Sequence, residues 1–179
     1  MSREFAAQIV GIIALIMWFA SFQVRDNKKL FIVQTVANLI FGVQFILLKG
    51  YAGCFGLVLC SLRNILIINR DRWNWAKSWL WIGVIAVADA AFVIYTMERP
   101  IDMMAWVACV GASVTCWTNN ARTIRLGNLF VASPSWLIYD IAYGAWPSAF
   151  SESMAMISVI ISIFRFGCDE LGKDKEDVK

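Results

Sequence analysis

Residues 30–50 read LFIVQTVANLIFGVQFILLKG, in which a mostly apolar run at residues 30–48 is followed by Lys49 and Gly50. A bilayer core of about 30 Å is crossed by about 20 helical residues, so this run has the length of a membrane-spanning helix. Six more stretches share its character: residues 5–22, 51–69, 78–95, 101–119, 126–145 and 149–166. The sequence therefore predicts an all-α membrane protein with seven transmembrane helices.

The basic residues are distributed unevenly between the two ends of these predicted helices. Twelve of the sixteen fall on one side: Arg25, Lys28, Lys29, Arg70, Arg72, Lys77, Arg122, Arg125, Arg165, Lys173, Lys175 and Lys179. The other side has only Arg3, Lys49 and Arg99, and Arg63 lies within the third helix. Because basic loops are retained in the cytoplasm, this asymmetry predicts an outside N-terminus and a cytoplasmic C-terminus. Adding or removing one helix would scramble it, which supports the count of seven.

Composition narrows the class of protein. Hydrophobic residues make up 60% of the 179 residues and charged residues 16%, whereas a soluble domain carries about 25% charged residues. The net charge of +3 comes from short basic loops, so binding of nucleic acid is not expected. The chain has no His, and none of its five Cys residues forms a C-x-x-C pair. These absences exclude the usual zinc sites and His-based triads, so we expect no metal, no cofactor and no enzymatic activity.

Seven helices suggest an internal repeat of three, one and three. Residues 5–69 would form the first triplet, residues 78–95 a linker helix and residues 101–166 the second triplet, within a transmembrane domain at residues 1–168. The linker inverts the chain, so both triplets run in the same direction, as in transporters built from parallel repeats. Residues 169–179 alternate acids and bases and are predicted to form a cytoplasmic tail.

Three ionisable residues lie within predicted helices, where a charge costs roughly 2.5–3.5 kcal/mol. Arg63 either extends its long side chain to the cytoplasmic headgroups or has an internal role. Asp89 is too short to reach the headgroups and is hypothesised to pair with Arg63, either to lock two helices or to serve function. Asp140 is flanked by Tyr139 and Tyr143. It is interpreted as a site for a proton, a cation or a solute hydroxyl, with capping of a backbone group as the alternative.

Polar and aromatic residues in the second and sixth predicted helices suggest a solute pathway. Gln34 and Asn38 are four residues apart and share a helix face, from which Gln44 is rotated away. The shared pair either joins helices by hydrogen bonds or lines a polar cavity. Pro134 is expected to kink the sixth helix and to act as a hinge. Trp136 would offer a flat apolar face to a solute, or is an ordinary buried Trp beside a kink.

Serines in the seventh predicted helix form a narrow stripe. Ser151, Ser158 and Ser162 lie on one face together with Arg165. Small polar stripes indicate close packing of helices, and the lining of a pathway is the alternative.

Two short runs stand at corresponding places in the two triplets. They are Gln34-x-x-x-Asn38 through Gly50, and SPSWLIYD at residues 133–140. With the layout of three, one and three helices, they resemble the SWEET and PQ-loop transporter superfamily. Within it, the chain is most similar to the bacterial inner membrane protein family of the YgjV type. The resemblance covers nearly the whole chain.

The resemblance implies that each triplet is a helical bundle and that solute crosses between the bundles by alternating access. It also implies a solute contact for an Asn in the third helix of each triplet. Asn64 fits the first triplet, and the second offers only Ser162. The chain departs from the superfamily because it has no Pro-Gln dipeptide and no proline in its first triplet. A symmetric proline hinge is therefore not carried over.

Together these features predict an inner-membrane transporter or facilitator of a small polar solute. The predicted substrate-binding residues are Gln34, Asn38, Asn64, Trp136, Tyr139 and Asp140. The competing hypothesis is a non-transporting membrane protein that binds or regulates a partner membrane complex. The solute, the coupling ion and the oligomeric state, including a homo-oligomer, stay open.

Overall fold

The computed structural model describes residues 2–21, 27–70, 72–118 and 120–166, and these residues are helical apart from short connections. The α-helices are α1 (Arg3–Ser21), α2 (Asn27–Leu48), α3 (Tyr51–Ile68), α4 (Leu80–Thr96), α5 (Met103–Trp117), α6 (Ala121–Gly127), α7 (Ser133–Tyr143) and α8 (Trp146–Phe166). Single 3-10 turns at Asn74–Lys77 and Pro100–Asp102 precede α4 and α5. The predicted tail at residues 169–179 and the loop residue Arg25 lie outside the described residues.

α6 and α7 are two parts of one helical rod. The π-helical segment Asn128–Ala132 joins them, and the backbone stays right-handed helical at both junctions. The rod begins at residue 121, earlier than the predicted residue 126. Its start is fixed by Asn120, whose side chain accepts hydrogen bonds from the backbone N–H groups of Arg122 and Thr123 at 3.0 and 3.2 Å. Such an N-cap satisfies donors that the first helical turn leaves unpaired.

The prediction of an all-α protein with seven helices is confirmed, with the rod counted as one. Within the described residues, five helices are long and apolar enough to cross a membrane: Arg3–Ser21, Lys29–Leu48, Tyr51–Ile68, Pro100–Trp117 and Trp146–Phe164. α4 is apolar but shorter. The π-helical segment divides the rod, so neither of its α-helical parts reaches spanning length by itself.

Six of the seven helices form a ring. Going round it, α1 packs on α2, α2 on α3, α3 on α5, α5 on the rod, the rod on α8, and α8 on α1. α4 packs against α3 and α5. The main buried apolar cluster includes Phe45, Ala52, Val93, Ala105 and Tyr139. These residues come from the end of the bundle where α2 and α7 finish and α3 and α5 begin, which we call the closed end.

Two helices finish at the closed end with the same backbone turn. α2 is followed by Lys49 at φ 63° and α7 by Gly144 at φ 68°, both left-handed. In each turn the next N–H closes back on the helix, from Gly50 to the Phe45 carbonyl and from Ala145 to the Asp140 carbonyl, both at 2.8 Å. This hydrogen bond is typical of helix ends that use a left-handed residue. Gly144 adopts it freely, whereas Lys49 carries a Cβ that this conformation disfavours.

Replacing Lys49 with glycine is therefore expected to stabilise the protein. A left-handed residue with a Cβ costs roughly 1–2 kcal/mol, and glycine removes most of that cost. For a chain of this size we expect the melting temperature to rise by about 3 °C. Lys49→Ala is the matched control, since it removes the charge but keeps the Cβ. An equal rise in both variants would assign the effect to charge rather than to backbone conformation.

Candidate functional site

A cavity of about 790 Å³ lies inside the ring of helices. Residues from α1, α2, α3, α5, the rod and α8 line it, and of the described helices only α4 contributes none. At one end its rim includes the exposed side chains of Arg125 and Ser158. This is the end where α3 and α8 finish and α2 begins, and we call it the mouth. The cavity is therefore accessible at the mouth and extends toward the closed end.

Aromatic side chains form the floor of the cavity. Phe41, Phe45 and Trp136 line it and are buried. The rings of Phe45 and Trp136 stack with a centroid separation of 6.3 Å. Tyr139 packs beneath them, with its ring centroid 5.3 Å from that of Phe45 and 6.0 Å from that of Trp136. Three aromatic rings thus block the cavity at the closed end.

Hydrogen bonds hold this closed end together. The Gly53 backbone N–H donates to the Tyr139 hydroxyl oxygen at 2.8 Å. Gln8 of α1 donates through Nε2 to the Gly144 carbonyl, also at 2.8 Å. Both bonds join the first three helices to the last three. A methyl group built on Gly53 would lie 2.4 Å from Tyr139 Cε1, so the absence of a side chain there allows the tyrosine to approach α3.

The two amides predicted to share a face of α2 lie on the cavity wall. Gln34 and Asn38 both line the cavity, with Asn38 buried and Gln34 half-buried. Gln44 does not line it. Its side chain packs on α1, where a Cβ added to Gly11 would lie 2.5 Å from Gln44 Nε2. The helical spacing therefore separated the cavity face from the packing face, as expected from 3.6 residues per turn.

Arg63 lies inside the protein on the cavity wall rather than extending to the headgroups. Only 7% of the residue is exposed, and it lines the cavity together with Asn64. Its guanidinium donates to Asn64 Oδ1 through Nε at 3.2 Å and Nη2 at 2.9 Å. The remaining nitrogen, Nη1, is buried without a hydrogen-bond partner, and so is Asn64 Nδ2. The structure therefore places the Arg63 side chain inside the protein, and its role stays a prediction.

The hypothesised pair between Arg63 and Asp89 is wrong. The Arg63 guanidinium bonds to Asn64, and both carboxyl oxygens of Asp89 are buried without a hydrogen-bond partner. Asp89 approaches α3 at Gly56, about two helical turns from Arg63. A Cβ built there would be 3.8 Å from Asp89 Oδ1 and 3.4 Å from Trp136 Cη2. The sequence placed Asp89 and Arg63 at similar depths from the rise per residue. That estimate was too coarse to predict which turn of α3 contacts Asp89.

Tyr139 and Asp140 do not line the cavity with the other predicted binding residues. Both share roughly the face of Trp136 but lie about one helical turn farther along α7, beyond the aromatic floor. Tyr139 is bound to Gly53, as described. Asp140 is buried beside Ser148 of α8, although neither carboxyl oxygen has a hydrogen bond of good geometry. The structure therefore brings together Gln34, Asn38, Asn64 and Trp136, and leaves these two residues behind the floor.

Glu152 is a cavity residue that the sequence reasoning missed. It lies on α8, lines the cavity, and interacts with the Ser133 hydroxyl of α7. In the sequence it stands only three residues into the predicted helix at 149–166, as if near the membrane surface. α8 begins earlier, at Trp146, with Pro147 in its first turn, where proline is tolerated. Adding that turn to the helix would have identified Glu152 as an intramembrane carboxylate.

The serine stripe of α8 also faces the cavity. Ser151, Ser158 and Ser162 all line it, with Ser148 above them toward the closed end. Ser151 donates to the Ser148 carbonyl of its own helix at 2.8 Å. The stripe is therefore a wall of the cavity, which was the less favoured of its two readings. The side chain of Arg165 lies outside the described residues.

Pro134 is the second residue after the π-helical segment of the rod. Proline has no N–H and its ring clashes with the carbonyl four residues before it. A π-helical turn, with its wider i to i+5 spacing, accommodates such a break and is common at functional sites. Ala132 and Leu129 of this segment, and Ser133 beside the proline, line the cavity. One face of the irregular segment thus borders the cavity, where backbone breaks in membranes are tolerated. Its other face carries the exposed Phe130.

The fold and the site define a multi-pass helical membrane protein with a polar, aromatic-floored internal cavity. The profile of the Imp-YgjV family, described as bacterial inner membrane protein, matches residues 5–170. The chain belongs to this family, and its place is the bacterial inner membrane. The Escherichia coli (strain K12) protein called inner membrane protein YgjV is 20% identical over 166 residues, which cover 93% of this chain and 87% of the relative. No solved structure matches the chain.

Proposed function

We propose that the chain is a transporter or facilitator of a small polar solute in the inner membrane. The observation that carries this proposal is the cavity of about 790 Å³, which has amide, hydroxyl and charged groups on its walls and aromatic rings on its floor. Binding sites for small molecules commonly have volumes of about 300–1,000 Å³ and combine apolar walls with a few placed polar groups. The proposal assigns no catalytic step to the chain.

The pathway would run between two bundles of three helices related by a parallel repeat, as in the SWEET-like plan. The contacts round the ring support this arrangement. α3, the third helix of the first triplet, packs on α5, the first helix of the second, and α8 packs on α1 in the same relation. α2 and the rod are each packed between the other two helices of their triplet. The matching left-handed turns at Lys49 and Gly144 occupy corresponding positions after these middle helices.

In this proposal the mouth faces the cytoplasm and the closed end faces outside. The orientation follows from the basic residues, because the described loops at the mouth end carry Arg70, Arg72 and Lys77. The structure would then be an inward-open state. Opening the other end would require Phe45, Trp136 and Tyr139 to separate. The π-helical segment before Pro134 is the proposed hinge for that movement.

The four predicted binding residues that line the cavity each have a proposed role. Gln34, Asn38 and Asn64 exchange hydrogen bonds with the solute, and Trp136 provides a face for stacking. Asp89 and Asp140, behind the cavity, are candidates for coupling a proton to the movement. Asp89 and Trp136 both approach Gly56 of α3. A change in charge at Asp89 would therefore alter the surroundings of Trp136 on the aromatic floor.

The test is solute uptake into liposomes with variants at two cavity residues, once a thermal-shift screen has provided a ligand. We expect Asn38→Ala and Trp136→Ala to lower uptake at least about fivefold, because each loses a contact worth about 1–3 kcal/mol. Thr35→Ala is the control for the amide, since its hydroxyl donates to the Phe31 carbonyl of the same helix and it does not line the cavity. Phe130→Ala, on the exposed face of the rod, is the control for the aromatic.

The competing hypothesis of a partner-binding protein makes the opposite prediction. It predicts that no solute raises the melting temperature of the folded protein and that a partner membrane protein co-purifies with it. Normal uptake in both cavity variants would remove Asn38 and Trp136 from the pathway, even if transport itself were observed.

A further inference from the structure

We infer that the solute carries an anionic group, a carboxylate or a phosphate, which binds at Arg63 and Asn64 on the cavity wall. This inference rests on the proposed function, because it names the class of solute that the cavity would take. It depends on the charge balance of the cavity, which the family resemblance does not address.

Among the residues that the structure describes, the Arg63 guanidinium is a buried positive charge without an acidic partner. Arginine stays protonated in proteins, so the charge cannot be removed by titration. Its two described hydrogen bonds go to a neutral amide oxygen of the neighbouring residue, and its third nitrogen has none. Buried charges are normally paired, because an uncompensated one costs several kcal/mol. A solute that brought its own negative charge would supply the missing partner.

The geometry of the guanidinium favours a planar or tetrahedral oxyanion. Arginine presents its N–H groups as a fork that matches two oxygens of a carboxylate or phosphate. The hydrogen bonds to Asn64 Oδ1 hold this fork beside Asn64, whose Nδ2 is also buried without a partner. Arg63 and Asn64 both line the cavity and each has an unused donor. A rotation that turned Nη1 and Nδ2 toward the cavity would let one oxyanion accept from both.

The position of Glu152 indicates that the solute has hydrogen-bond donors as well as an anionic group. It lies six residues after the start of α8, whereas Arg63 lies twelve residues after the start of α3. Both helices begin at the closed end, so a rise of 1.5 Å per residue places Glu152 about 9 Å nearer the floor. A carboxylate there repels a second anion but accepts from hydroxyl or ammonium groups. The solute would therefore have its acidic group toward the mouth and donor groups toward the floor.

The test measures the melting temperature of the full chain in phosphatidylcholine nanodiscs with matched probes. Glucuronate and glucose 6-phosphate are compared with glucose, and lactate is compared with lactamide. At tenfold excess over its dissociation constant, a binding probe should raise the melting temperature by about 3 °C. We expect this rise with at least one acidic probe and not with its neutral match.

Two arginine variants separate the proposed contact from general charge effects. Arg63→Gln should raise the dissociation constant of the acidic probe at least about tenfold, because it removes a charge-assisted bond. Arg63→Lys keeps the charge and should restore part of the affinity. Arg72→Gln, an exposed arginine at the same end of the bundle that does not line the cavity, is the control and should bind as the unmodified protein does.

The outcomes distinguish this inference from the proposed function. A rise with a neutral probe that equals the rise with its acidic match would overturn the anionic solute and leave transport in place. If none of the probes raised the melting temperature of a folded sample, the result would count against transport itself. A rise that depends on Arg63 and appears only when phosphatidylglycerol is added to the nanodisc would assign the anion to a lipid headgroup and overturn a soluble solute.

Discussion

Gly53→Ala is expected to lower the melting temperature of the protein by about 5 °C or more. It is also expected to abolish the proposed solute uptake, because that depends on an intact closed end. The added methyl group would lie 2.4 Å from Tyr139 Cε1 and 3.0 Å from its hydroxyl oxygen. Tyr139 is fully buried, so it cannot swing away into solvent. Overpacking of a well-packed site costs typically 1–3 kcal/mol. The displaced tyrosine would also lose its hydrogen bond from the Gly53 N–H, which adds about 1 kcal/mol.

Gly83→Ala is the matched control for this effect. Gly83 lies in α4, and nothing is within 4 Å of the position that its Cβ would take. Alanine is favoured over glycine in a helix by about 1 kcal/mol, so this variant should be as stable as the unmodified protein or more so. Melting curves in one detergent would compare the two variants directly. Equal losses in both would mean that close approach of Tyr139 to α3 is not what makes Gly53 necessary.

A cysteine at position 158 is expected to react with a membrane-impermeant maleimide from the cytoplasmic side, whereas a cysteine at position 157 is not. Ser158 lines the mouth of the cavity, and its neighbour Ile157 is an exposed apolar residue that does not line it. The reactive species is the thiolate, which forms in water and not in lipid. We therefore expect Ser158→Cys to react at least about tenfold faster than Ile157→Cys.

The labelling needs a background without the native thiols, in which five residues are replaced by alanine: Cys54, Cys60, Cys109, Cys116 and Cys168. Inverted inner-membrane vesicles present the cytoplasmic face, and spheroplasts present the other. Labelling of Ser158→Cys from spheroplasts alone would reverse the proposed orientation. Equal rates at positions 157 and 158 would contradict a water-accessible mouth at this end of the bundle.

Periodic features of the chain were predictable from its sequence, because they depend on geometry that each helix carries by itself. The seven apolar runs predicted the seven helices. The four-residue spacing of Gln34 and Asn38 placed both on one wall, and Gln44 on another face. The same rule put the α8 serines on one stripe. It could not decide whether that stripe packs against a helix or borders a cavity, since that depends on what the neighbouring helices leave empty.

Relations between helices were predicted less well. The depth of a residue was judged along its own helix, so Asp89 was assigned to Arg63 when it meets α3 at Gly56. Asp140 and Tyr139 were grouped with Trp136 because they share its face, yet one helical turn places them beyond the aromatic floor. Glu152 was missed because α8 starts at Trp146 rather than at residue 149. Each error concerns a few ångströms along a helix axis, which hydropathy does not resolve.

The hydrogen bonds that join the two halves at the closed end have an evolutionary consequence. In each bond one partner is a main-chain group, the Gly53 N–H or the Gly144 carbonyl, which would be present whatever residue stood there. Only Gln8 and Tyr139 contribute side chains. A lineage can therefore exchange most of the residues around this end and keep both bonds, provided that these two side chains and the glycine at position 53 persist. Divergence as deep as one identical residue in five is compatible with such a junction.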